Sequence, residues 1–272
     1  MPIDFYYFPL SPPCRMILLL GKAIGVHFNL ISINPMKGEQ MKAEFLKVPF
    51  SFDVINFLFL FFSREKNKER KREREREREK ERKKRKKISW ISSEIINPFQ
   101  INPQHTIPTI DDNNIVLWES RVIMQYLVEK YAKDDTLYPK DPKKRGIVDQ
   151  RLYFDIGTLY ENIIKCYSPI FLGITDTIDE NILQKVERSC EILNTYLDGN
   201  DFVAGENLTI ADFSISTSIV FLQNFEFDIG RYDNLTAWYD RCKTAMEKFG
   251  FEEIHAAGNK VFNEGYRANL AK

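Results

Sequence analysis

The dipeptide Ile107-Pro108 limits the folding of this chain more than any other feature. A residue that precedes proline is pushed out of the helical region. The stretch 101–109 therefore reads as a loop that opens a strand, and the Ile107–Pro108 bond is a candidate cis peptide. A backbone turned in this way offers the N–H and C=O of Ile107 to something outside the chain. Thr109-Ile110, the polar turn Asp111 to Asn114 and Ile115-Val116-Leu117 then read as a hairpin. Glu119-Ser120-Arg121 opens an apolar-periodic run (Val122, Ile123, Tyr126, Leu127, Tyr131), which predicts a helix over 119–132. The free N–H groups of a helix start favour an anion. An open backbone edge beside a helix start suits a small, acidic, peptide-like molecule.

The N-terminal residues have the pattern of strand, helix, strand. Residues 4–8 are short and aromatic, as strands are. Leu10-Ser11-Pro12-Pro13 is a turn, and proline suits a first helical turn because no N–H is needed there. Met16, Ile17, Leu20, Ala23 and Ile24 follow at helical spacing, with Gly25 as the stop. Residues 28–33 alternate apolar and polar as a second strand. The order βαβ then ββα is thioredoxin-like. Residues 133–144 are polar, contain two prolines and lack periodicity, so they read as a linker. Everything beyond is helical in pattern: 145–167, 178–197, a start at Thr209 with Asp212 as a capping-box partner, then 234–249 and 251–261. The expected fold is an α/β thioredoxin-like N-terminal domain (1–132) followed by an all-α domain (145–272).

The formal net charge of zero hides a segregation. Residues 64–87 hold 16 Lys/Arg and 7 Glu, which leaves 23 basic and 32 acidic residues elsewhere out of totals of 39 and 39. Cys14, Cys166, Cys190 and Cys242 lie far apart, with no C-x-x-C pair. That argues against a disulfide framework or a zinc site and fits a reducing compartment. The N-terminus shows neither the basic nor the apolar part of a secretory signal. The most apolar run, 54–62, has about half of the ~20 residues a membrane helix needs, so no membrane span is expected.

His105-Thr106-Ile107-Pro108, followed by Trp118-Glu119-Ser120-Arg121, resembles the glutathione-binding signature of cytosolic glutathione transferases. Tyr6-Tyr7-Phe8-Pro9-Leu10-Ser11-Pro12-Pro13-Cys14-Arg15 resembles the catalytic turn of their arthropod delta class, with epsilon second. The resemblance spans 1–47 and 101 to about 267. It implies a glutathione transferase fold, glutathione as co-substrate with no cofactor or metal, a hydrophobic electrophile as second substrate, and a cytoplasmic homodimer. By the same resemblance Ser11 is the thiolate-stabilising hydroxyl, Ile107 offers its backbone to the cysteinyl part, and His105 contacts the glycyl carboxylate beside Thr106. Glu119 takes the γ-glutamyl ammonium, Ser120 takes its carboxylate, and Arg121 adds charge there. On spacing alone, Ser11 reads as a turn or N-cap serine and Glu119-Ser120 as an ordinary helix start. Gln40 stands where many relatives carry a second histidine, and Leu10 where delta members often have glycine. Tyr160, Ile163, Tyr167 and Leu172 are candidates for the electrophile wall, although such stripes more often belong to a core. Cys14 reads as packing rather than as a nucleophile.

Residues 48–100 have no counterpart in this pattern. Without them Lys47 joins Ile101 in the family's continuous reading. Valine codons begin GT, Phe99-Gln100 can be read from TTTCAG, and the Arg-Glu alternation at 72–79 is what an in-frame GA repeat encodes. The segment therefore reads as an in-frame retained intron or a gene-model error; genomic sequence without GT at Val48 or AG at Gln100 would refute this. Physically, alternating charges on a helix oppose each other at i+3 and i+4, so the segment is expected to be disordered or loosely helical. Two rival functions follow from the insert. One is a catalytically silent glutathione-transferase-like binding or scaffold protein. The other is nucleic-acid association through the basic run, against which the interleaved Glu argues.

Overall fold

The computed structural model describes residues 2–39 and 102–270. Residues 1–39 and 106–272 form one packed unit, and residues 40–105 group separately. The insertion at 48–100 and the departure at Gln40 lie outside the described residues.

Four strands form a mixed sheet: β1 (Ile3–Tyr7), β2 (Phe28–Ser32), β3 (Thr109–Asp112) and β4 (Ile115–Trp118), in the order β2-β1-β3-β4. Helix α1 (Pro12–Ile24) crosses from β1 to its parallel neighbour β2. Pro12 opens it behind the cap Ser11, and Gly25 closes it at φ 75°, a conformation glycine adopts without a Cβ penalty. Its inner face buries Cys14, Met16, Ile17, Leu19 and Leu20. The β3–β4 turn uses Asn113 and Asn114 at φ 54° and 71°, the left-handed pair that a two-residue hairpin turn requires. Helix α2 (Ser120–Tyr131) is fastened to that hairpin by the buried carboxylate of Asp112, whose Oδ2 accepts from Tyr126 (2.6 Å), Lys130 (2.6 Å) and Tyr131 (2.5 Å).

The strand directions decide where a site can form. β1 and β4 both run antiparallel to β3, so they point the same way. Their C-terminal ends therefore share one sheet edge, and β3 begins at that edge. The N-termini of α1 and α2 and the segment 106–108 meet there.

The helices that follow are α3 (Pro142–Phe154), α4 (Tyr160–Phe171), α5 (Glu180–Tyr196), α6 (Ile210–Gln223), α7 (Asp233–Met246) and α8 (Phe251–Asn269). Three differ from the sequence expectation. The linker ends earlier than 144, because Asp141 caps α3 by accepting from the N–H groups of Lys143 and Lys144. The run read as a single helix over 145–167 is divided by a π-helical turn, Asp155–Leu159, which places the Asp155 side chain fully inside. The last helix continues eight residues beyond Val261, to Asn269. α6 is buried along almost its whole length and starts with the expected box at Thr209 and Asp212. Asp212 also accepts from the Val203 N–H and Trp238 Nε1, both at 2.9 Å.

Candidate functional site

At the shared edge, Ser11 closes a turn after β1: its N–H donates to the Phe8 carbonyl at 2.9 Å, and its Oγ accepts from the Cys14 N–H at 3.4 Å. The Ser11 hydroxyl also hydrogen-bonds the Cys14 thiol; a hydroxyl can turn from that weak sulfur acceptor to donate to an anion. Turn serine and anion donor are therefore compatible roles. Cys14, one turn on, is fully buried, and burial pushes its thiol up to about 11. It is neutral and closed to solvent.

The 106–108 segment enters β3 through a cis Ile107–Pro108 bond. The Thr109 hydroxyl donates to the Thr106 carbonyl at 2.9 Å and braces the bend. Neither the N–H nor the C=O of Ile107 has a backbone partner among the described residues. His105 is buried at φ 53°, its N–H donating to the Asn102 carbonyl at 3.1 Å. It belongs to the other unit, 40–105.

Glu119 stands at the start of α2 with φ 68° and ψ 105°, exposed and making no side-chain cap. Such a backbone is costly for a non-glycine residue. It leaves the first N–H groups of α2 uncapped by its side chain and its carboxylate without an ion pair among the described residues. Ser120 behind it is buried, and its Oγ accepts from Arg121 Nη1 at 3.0 Å. Trp118 pairs with Thr109, and Thr109 with Tyr6, so Glu119 and the end of β1 are two strand spacings apart, about 10 Å. The edge can thus span a short extended peptide.

Arg121 departs from expectation. Its guanidinium turns inward, where Nη2 meets Asp155 Oδ2 at 2.5 Å. Asp155 also accepts from the hydroxyls of Ser214 (2.5 Å) and Ser218 (2.7 Å). Because this buried carboxylate neutralises it, Arg121 adds no free charge at the edge and instead holds Ser120. The sequence reading does not single out Asp155, Ser214 or Ser218. The signal for the two serines is a cluster of small hydroxyl residues, Ser214, Ser216, Thr217 and Ser218, in an otherwise apolar helix.

Of the four proposed wall residues, Tyr160 and Leu172 keep some exposed surface. Ile163 is fully buried, and Tyr167 is buried with its ring stacked on Phe225 at 4.6 Å. Packing demands of the helical core claim both, so they face no open site. Tyr160 lies under the Arg121 guanidinium at 5.4 Å and 6.0 Å from the Phe221 ring.

Comparison with known proteins bears directly on this edge. Residues 10–130 match the model of the glutathione S-transferase N-terminal domain, and residues 163–244 that of the C-terminal domain. The chain is 34% identical to "Glutathione S-transferase D7" of Anopheles gambiae, over 97% of each. Among solved structures it is similar to Bombyx mori glutathione transferase BmGSTD1, at 36% identity and TM-score 0.76, covering 97% of this chain and 98% of that one. It is likewise similar to a delta-class glutathione transferase of Nilaparvata lugens, at 36% identity and TM-score 0.75, covering 99% and 100%.

Proposed function

This chain belongs to the glutathione S-transferase family and is an enzyme of delta type that conjugates glutathione; from that premise we propose which of its atoms do the work. Glutathione lies along the sheet edge. Its thiol, with an ordinary thiol pKa of about 8.5, is mostly protonated at neutral pH. The Ser11 O–H donates to the sulfur as the proton leaves, and the positive end of α1 favours the resulting thiolate. The unpartnered backbone of Ile107 takes the cysteinyl amide. The Glu119 carboxylate takes the γ-glutamyl ammonium, while Ser120 and the first N–H groups of α2 take its carboxylate. Arg121 contributes by holding Ser120 against Asp155. Thr106 serves the glycyl end. The thiolate attacks an electrophilic carbon beside Tyr160 and Leu172. A C–S bond forms, the leaving group departs with its electron pair, and the thiol proton passes to solvent.

The observation that carries this reading is the convergence of a serine hydroxyl at the start of α1, an unpaired backbone amide and an uncapped helix start on one edge. The test is Ser11→Ala, assayed with glutathione and a nitro-activated aryl chloride, in the full chain and in a form lacking residues 48–100. A loss of about 10²-fold or more in kcat/KM, with glutathione still bound in calorimetry, is expected. Full activity in Ser11→Ala would remove the serine from the mechanism.

The enzyme is further proposed to be a cytoplasmic homodimer. All four cysteines are free and buried, which suits a reducing compartment. Helices α2 and α3 are joined by Gln125–Asp149 (2.8 Å) and Glu129–Arg145 (2.9 Å), and one turn beyond Gln125–Asp149 the same seam leaves Val122 and Tyr153 uncovered, Tyr153 to 75%. A second copy would cover them. Tyr153→Glu should halve the mass seen by light scattering.

A further inference from the structure

Helix α8 lies along α1, and the two are joined at Arg15. Arg15 is fully buried; its Nη1 donates to the His255 carbonyl at 3.1 Å and to Asn259 Oδ1 at 3.4 Å. There is room for it because residue 258 is glycine. A Cβ at Gly258 would stand 2.5 Å from Nη1 and 2.8 Å from Cζ.

This cation has no carboxylate partner among the described residues, and its Nε and Nη2 have no acceptor there. Its surroundings do not compensate. Burial and then the Arg15 charge push the His255 ring down to about 3, so His255 is neutral. The Cys14 thiol is neutral too. Two neighbouring charges are engaged elsewhere: Lys22 meets Glu253 at 3.4 Å, and Arg121, above Tyr160, meets Asp155. Burial lowers Arg15 to about 10, which keeps it charged at neutral pH. A buried charge without a counter-ion costs stability rather than adding it. Stability therefore does not account for an arginine here.

Position does. Helix α1 begins one turn earlier at Ser11, whereas α8 carries Phe262 one turn after Asn259. The Phe262 ring packs on Phe171 and Phe221, both at 4.9 Å, and Phe221 is the ring beside Tyr160. We propose that Arg15 is a positioning residue for the electrophile: it latches α8 onto α1 and thereby fixes the aromatic wall relative to Ser11. The proposal rests on the reading of Tyr160 as part of that wall.

The experiment compares Arg15→Met, Gly258→Ala and, as control for the wall, Tyr160→Ala. Steady-state kinetics with glutathione and a nitro-activated aryl chloride give both KM values, and thermal unfolding gives Tm. Gly258→Ala keeps the arginine but denies it its space, so the two variants reach the latch independently. The expected result is an electrophile KM raised about fivefold or more in both, a glutathione KM within about twofold, and an unchanged or higher Tm for Arg15→Met. If Tyr160→Ala raises the electrophile KM and the two latch variants do not, the latch is overturned and the wall stands. If Tyr160→Ala leaves it unchanged, the wall reading itself fails. A fall in Tm with kcat and both KM values worsening together would make Arg15 merely structural, and would also overturn the proposal.

Discussion

Two buried arginines act on Tyr160, and the fold treats them differently. Arg121 lies over the ring with Asp155 as its counter-ion and Ser120 as a second acceptor. Asp155 is in turn fixed by Ser214 and Ser218, so every member of that group is held by at least one other. Arg15 has only a helix carbonyl and an amide oxygen, and no carboxylate. The difference separates two uses of buried charge. A paired guanidinium makes local geometry rigid, and removing its partner is expensive. An unpaired one costs stability for as long as it is kept, so its presence calls for a role outside stability.

The largest effect should come from breaking the paired group. Asp155→Ala leaves Arg121 buried and uncompensated, and is expected to cost about 3–5 kcal/mol in denaturant unfolding. The double variant Asp155→Ala/Arg121→Met should recover most of that loss. A single variant that loses less than about 1 kcal/mol would erase the contrast between the two arginines.

A smaller effect sharpens the unpaired side through pH. His255, against Arg15, is held well below the ordinary histidine value, at about 3, first by burial and then by that guanidinium. Its unfolded pKa is near 6.5. Between these values the unfolded chain binds a proton that the folded chain does not, so stability is complete above about pH 6.5 and falls as the pH drops. The slope should approach about 1.4 kcal/mol per pH unit. Asp112, whose carboxyl is held low by Lys130, Tyr126 and Tyr131 against the effect of burial, contributes stability that is lost only below about pH 4. Between pH 6 and 4.5 the buried Asp212 carboxyl, raised by burial, acts with the opposite sign, so the histidine's share is the difference between the parent and His255→Leu, whose slope in urea unfolding should be flatter there. An equal slope in the variant would assign the acid sensitivity elsewhere.

The contrast also marks what can be read from the sequence. Local chemistry is legible. Asn113-Asn114 announces the hairpin because few other residues accept that backbone, and Thr209 with Asp212 announces α6 because the two cap each other. The edge that gathers Ser11, Ile107 and Glu119-Ser120 follows from strand order once the motifs are placed. What joins residues through space is not legible. Arg121 and Asp155 are 34 positions apart, and no periodicity links them. The π-helical turn that brings Asp155 inward leaves an apolar stripe that still looks like one helix. Arg15 did carry a signal, a lone charge among Cys14, Met16, Ile17, Leu19 and Leu20, all of which are buried. Its partners on α8, 240 and 244 positions away, did not.

The smallest effect is the most discriminating for the α1–α8 seam. Lys22 and Glu253 also bridge these two helices, at 3.4 Å, but their side chains are 50% and 81% exposed. An exposed pair is screened by water and salt and loses side-chain entropy on forming, so it is worth at most about 1 kcal/mol. If any contact along the seam could hold α8 in place, Lys22→Met would raise the electrophile KM as Arg15→Met does. If position depends on the buried latch, Lys22→Met should shift Tm by only a degree or two and leave both KM values unchanged, since that end of the seam lies nearly three turns along α1 from Ser11. Kinetics of the two variants side by side thus test whether α8 is held at one buried point or by its whole length.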